Sequence, residues 1–186
     1  MRALMATGLA LCLAACNQQP GSSAAFAIAH GPGPVQRIEC RQGECYWQQR
    51  QSTTVLERMG DGVLVKMAGR GGNSAHLDAL ESGEYPADPA KAEIDWKPQV
   101  SYFLCSPSHP AVLWNSDGEF LLDTLDLHSV SGVQTAVANE YMAICHSLAP
   151  GKWNAQALDR FGYTQTSADQ QRYPRLEAGL AAMEKD

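Results

Sequence analysis

Six residues constrain this chain more tightly than any other stretch: Cys40-Arg41-Gln42-Gly43-Glu44-Cys45. A Gln-Gly pair suits a two-residue hairpin turn, because glycine takes positive φ without steric cost. If Gln42-Gly43 is the turn, Arg41 and Glu44 flank it and Cys40 faces Cys45. Directly opposed residues of a non-hydrogen-bonded pair have Cα atoms about 4.5 Å apart, close enough for a disulfide. The chain should therefore enter its domain through a tight antiparallel hairpin.

The start of the sequence bears on whether such a bond forms. Met1-Arg2 is followed by an apolar run from Ala3 to Ala15, broken only by Thr7, Gly8 and Cys12. The run is shorter than the ~20 residues that span a bilayer. A short apolar run with a small-residue end has the architecture of a signal peptide. It closes on Leu13-Ala14-Ala15-Cys16, which resembles the lipobox of bacterial lipoproteins. The resemblance covers the signal alone, and the rest of the chain suggests no family. It implies cleavage before Cys16, a diacylglyceryl thioether on Cys16, and a domain held outside the cytoplasm. By the sorting pattern of such lipoproteins, Asn17 after the cysteine implies the periplasmic side of the outer membrane. The rival reading is an ordinary secretory signal cut after Ala25-Phe26-Ala27, which leaves the polar stretch Asn17 to Ser23 unusually placed.

Export makes the remaining cysteines informative. With Cys12 in the signal and Cys16 lipidated, four are left: Cys40, Cys45, Cys105 and Cys145. An even number in an oxidising compartment implies disulfides. The hairpin favours Cys40–Cys45, which leaves Cys105–Cys145; the crossed pairings stay open on sequence alone. A metal site from Cys40, Cys45 and His146 is disfavoured, because CxxC and HExxH spacings are absent.

The expected organisation is a signal peptide at 1–15, a flexible tether at 16–36 and one globular domain at 37–186. The tether is rich in Gln, Ser, Gly and Pro, although its apolar piece Ala24 to Ala29 suits docking on the domain. Val63 to Met67 is an expected strand, and Gln48 to Thr54 an edge strand or loop. Gly69 to Ser74 is expected to be a loop. Strands are expected on either side of Pro98, at Ala92 to Lys97 and Val100 to Cys105. Ala111 to Trp114 and Glu119 to Leu122 flank the hairpin loop Asn115-Ser116-Asp117-Gly118. After Val130 the period changes: Val133, Val137, Tyr141, Ile144, Cys145 and Leu148 recur at helical spacing, with Pro150-Gly151 as the stop. Asn154 to Phe161 and Leu176 to Lys185 are further helices. Together these predict an α+β fold, an antiparallel sheet with C-terminal helices packed on one face and two disulfide staples.

Chemistry is sparsely marked. The 186 residues carry a formal charge of -6, and Lys and Arg are scattered, which argues against a nucleic-acid partner. Ser74, His76 and Asp78 are the residue types of a hydrolytic triad, but Gly72-Asn73-Ser74-Ala75-His76 is not GxSxG. His146 follows Cys145 at the edge of the helical stripe. The carboxylate pairs Asp123/Asp126 and Glu81/Glu84 are expected to be solvated hairpin or loop ends. Most of Tyr46, Trp47, Trp96, Tyr102, Phe103 and Trp114 belong in a core. On the polar strand after Cys45, however, Tyr46 and Trp47 form the candidate binding surface. The sequence therefore favours a lipid-anchored envelope protein acting without catalysis as a binding, inhibitor or assembly-accessory module. Its expected partners are the membrane, through the lipid, and another envelope protein. No cofactor is implied. The alternative is a small periplasmic hydrolase using His76 or His146.

Overall fold

The structure is a computed structural model that describes residues 26–132 and 134–184. The signal peptide, Cys16 and the first part of the tether lie outside the described residues. Seven strands follow one another across a single curled antiparallel sheet, in the order of the chain. They are β1 Gln36–Arg41, β2 Glu44–Met59, β3 Gly62–Ala75, β4 Asp95–Cys105, β5 Ala111–Ser116, β6 Glu119–Thr124 and β7 Asp169–Tyr173. The helices are α1 Ala79–Ser82, α2 Thr135–His146, α3 Ala155–Phe161 and α4 Leu176–Met183, so all but the short α1 follow β6. The sheet dominates an α+β fold.

Turn chemistry sets the hairpins. Gln42 and Gly43 have φ of 52° and 80°, and Asp117 and Gly118 have φ of 55° and 87°. Positive φ at both central residues matches the right-handed twist of the flanking strands. In the first hairpin Arg41 pairs with Glu44 and Cys40 with Cys45. The Cys40–Cys45 disulfide joins Cα atoms 4.1 Å apart, and Cys105–Cys145 joins β4 to α2 across 5.6 Å.

The glycine-rich stretch Gly69 to Ser74 corrects the loop expected there. It is the second half of β3, in continuous register with β4 from Asn73↔Asp95 to Val63↔Cys105. Its glycines are a packing requirement: a Cβ on Gly72 would strike the backbone of Asp95. Pro98 does not divide β4 either. It pairs with Arg70 of β3, while β5 reaches only Ser101 to Leu104, so the imino nitrogen of Pro98 lies on a stretch with one strand neighbour.

The helices do not all lie on one face. Val65, Met67, Phe103 and Val112 meet Tyr141, Met142, Ile144 and Cys145 of α2 and Leu158 of α3. On the opposite face Leu64, Leu104, Leu113 and Leu122 meet Met183 of α4. The reason is visible in runs such as Tyr102-Phe103-Leu104 and Ala111-Val112-Leu113. Apolar side chains at both parities make both faces of the sheet need cover.

From Phe26 onward the expected tether is held against the domain. Ala29 N–H donates to Ile144 O (2.9 Å) and Gly33 N–H to Arg50 O (2.9 Å), while Ser147 Oγ donates to Ala27 O (2.7 Å). Phe26 and Ile28 pack on the α2 side of the core.

Candidate binding groove

Alternation along β2 decides which side chains share a surface. Tyr46, Gln48 and Arg50 stand opposite Asn73, Gly71 and Gly69 of β3. Those in turn stand opposite Asp95, Lys97 and Gln99 of β4. Ser101, two residues on, faces Trp114 of β5. All share the parity of Met67 and Phe103. α2 thus covers one end of this face and leaves the other open. The open part is a groove of about 890 Å³, bordered by Glu39 and Arg41 of β1, Tyr46 and Gln48 of β2, Gly71 and Asn73 of β3, Asp95, Lys97, Gln99 and Ser101 of β4, Trp114 of β5, Glu140 of α2 and Gln170 of β7.

The groove floor depends on Gly71. A side chain there would collide with Tyr46 Oη and Gln99 Oε1. Without one, the Tyr46 hydroxyl reaches over β3 and donates to Gln99 Oε1 at 2.8 Å. Gln48 Nε2 donates to Glu140 Oε1 where α2 crosses the sheet. Burial pushes the Glu140 carboxyl up to about 7, against the pull of the Gln48 hydrogen bond and the nearby Arg50 guanidinium. Burial also raises Tyr46, with the Glu140 charge adding to it. At the rim Lys97 pairs with Asp95 at 3.3 Å and Arg41 with Glu39 at 3.8 Å, and the Asp117 carboxylate adds a negative charge. A second cavity of about 330 Å³ lies between the N-terminal segment and the end of α2, and also touches Gln48, Arg50 and Glu140.

The structure splits the expected surface pair. Tyr46 lines the groove, whereas Trp47 is fully buried on the other face, its Nε1–H donating to Ser74 Oγ at 2.7 Å. Trp47 is therefore not part of a binding surface. The polar neighbours that suggested an exposed strand line a groove on one face only.

Ser74 and His76 do meet, Oγ to Nε2 at 2.7 Å. Yet Ser74 is buried and takes the Trp47 indole N–H, and among the described residues no carboxylate hydrogen-bonds His76; Asp78 instead precedes α1. His146 stacks on Phe161 at 3.9 Å and lies 2.7 Å from the Tyr163 hydroxyl, which donates to Tyr141 Oη at 3.1 Å. Tyr141 closes this internal chain on the backbone of Ser106. Burial pushes His146 down to about 4, so it is neutral at pH 7. Neither histidine acquires the orienting carboxylate of a hydrolytic triad. Asp123 and Asp126 are buried rather than solvated, because β7 and the β6–α2 loop cover them. Asp123 accepts from Gln170 Nε2 (2.7 Å) and Asp126 from His128 N–H (3.1 Å). Glu81 and Glu84 are exposed, as expected.

Gln48, Gln99 and Glu140 were not singled out by sequence. Glu140 carries a legible signal, since it falls three residues after Val137 and four before Ile144, an acid within the apolar stripe of a helix. Gln48 and Gln99 carry none, because their significance arises from register. Among the described residues no cluster of three or more His, Cys, Asp or Glu side chains is placed to hold a metal, and no helix is long and apolar enough to cross a membrane. No family model, curated protein or solved structure matches the chain.

Proposed function

We propose that this chain is a lipid-anchored envelope protein that works by binding, with the groove over β2–β5 as its recognition surface. The observation that carries the reading is the uncovered half of an otherwise packed sheet face. There, amide, hydroxyl and carboxylate side chains surround a concavity at the upper end of the usual ligand-site range of about 300–1,000 Å³. The lipobox supports anchoring through Cys16 at the periplasmic side of the outer membrane. The docked segment from Phe26 supports a short leash between that anchor and the groove. A hydrolase reading has the Ser74–His76 contact in its favour, but lacks an orienting carboxylate and an accessible nucleophile.

Site-specific photo-crosslinking tests the groove. A benzophenone side chain at Asn73, exposed in the groove, should capture ligand in intact cells. The same group at Glu177, exposed on α4 of the opposite face, should not. Equal capture at both sites, or none at residue 73, refutes the groove as the working surface.

A further inference from the structure

Resting on that reading, the chemistry of the groove points to a ligand class: we infer that it binds an uncharged oligosaccharide. Three observations converge. First, the polar groups that border it are chiefly amides and hydroxyls, among them Asn73, Gln99, Ser101 and Gln170. An amide offers donors and an acceptor side by side, which suits sugar hydroxyls that both donate and accept. Gln99 spends its Oε1 on Tyr46, which fixes the orientation of the amide and points its role to donation through Nε2. Second, each rim cation is already paired with a carboxylate, Lys97 with Asp95 and Arg41 with Glu39, and Asp117 and Glu140 add no positive charge, so the groove presents no cationic field to hold a polyanion. Third, Tyr46 of β2 and Trp114 of β5 stand on the same face, two rings on either side of the groove with β3 and β4 between them. A pyranose ring has an apolar C–H face suited to such platforms.

An extended peptide fits less well. The groove crosses the face of the sheet, where strand N–H and C=O groups are already used in the ladder. A peptide lying there gains none of the main-chain bonds that give edge-added strands their affinity.

The experiment is calorimetric titration of the exported, disulfide-bonded protein with four probes: a tetramer of N-acetylglucosamine, a tetramer of glucose, an oligogalacturonate and an uncharged eight-residue peptide. A neutral tetramer should bind with little dependence on salt. Asn73→Ala and Gln99→Ala should each weaken it about tenfold, the loss of one buried ligand hydrogen bond, while Glu177→Ala leaves it unchanged. Asn73 is exposed, and thermal melts check that both variants keep the fold. Saccharide binding unaffected by both variants, or binding of the oligogalacturonate alone, overturns the assignment. Peptide binding lost in both variants also overturns it while leaving the groove reading intact. If no probe binds at millimolar concentration, the saccharide assignment falls. Crosslinking at residue 73 then decides separately whether the groove is used.

Discussion

The two disulfides should contribute unequally, and the inequality can be worked from the loops they close. Cys40 and Cys45 are separated by 5 positions in sequence, Cys105 and Cys145 by 40. On the chain-entropy relation, a cross-link stabilises by restricting the unfolded ensemble, and the effect grows with the logarithm of loop length. It gives about 2 kcal/mol for the short loop and about 4 kcal/mol for the long one. Packing adds in the same direction, because Cys105 and Cys145 are both fully buried between β4 and α2, while Cys40 is partly exposed. Cys105→Ala with Cys145→Ala should therefore cost roughly 2 kcal/mol more than Cys40→Ala with Cys45→Ala. Urea unfolding of the two double variants measures this, with slopes compared to confirm that the same surface is exposed. At this chain length each kcal/mol moves the melting midpoint by about 2–4 °C, so the midpoints should lie several degrees apart. A hairpin double variant as unstable as the β4–α2 double variant refutes the argument. It would mean that the first hairpin supports the fold through native-state packing.

Acid stability should show two opposed titrations. His146 lies at about 4 in the folded chain against 6.5 ordinarily, so the unfolded chain takes up a proton first and stability falls as pH drops from 6.5 toward 4, by up to about 3 kcal/mol. Glu140, raised from 4.5 to about 7, contributes stability that is full below 4.5 and lost as pH rises through 7. Glu140→Gln should thus steepen the acid loss between pH 6.5 and 4.5, and parallel stability curves for variant and wild type contradict the assignment. Gly72→Ala should destabilise more than Gly71→Ala, since its new methyl meets the backbone of β4 while the other meets the ends of two side chains. About 1–3 kcal/mol is expected for overpacking, read by thermal melts, and the reverse order contradicts the register. Cys16→Ser should abolish acyl labelling and release the protein from membranes; an unlabelled wild type beginning at Ile28 refutes the lipid anchor.

Local chemistry was legible in the sequence, and placement was not. The hairpin at Gln42-Gly43 follows from which residues tolerate positive φ, while the loop expected over Asn115 to Gly118 tightens to Asp117-Gly118 because Asn115 and Ser116 pair with Phe120 and Glu119. The disulfides follow from the first hairpin and the count of cysteines left after export. α2 and α3 follow from period and stop signals. The errors share one cause, in that the cover each segment receives comes from distant chain. Glycines that fit a loop by propensity form a strand because β2 and β4 approach closely on either side. Trp47 is interior because β3 supplies Ser74 beneath its indole. β7, Asp169–Tyr173, was missed because its polar residues have no strand pattern of their own and are ordered by pairing with β6. The groove arises from where α2 stops covering the sheet, which no local pattern encodes.

The long β2 strand also bears on how copies of this protein behave towards each other. β1 pairs it only as far as Gln48, and the N-terminal segment reaches Arg50 and Thr53. Beyond that, Val55 and Leu56 are each 46% exposed on an edge of the kind that a second chain extends. Two register shifts interrupt that stretch, between Arg50 and Ser52 and between Val55 and Glu57, and Glu57-Arg58 follow. Each bulge breaks the even spacing of N–H and C=O groups that another strand needs, and the two charges oppose dry stacking. The edge thus resists templated growth into fibrils, and deleting Leu56 removes the second bulge and leaves the first bulge and the Glu57-Arg58 charges to keep other strands away.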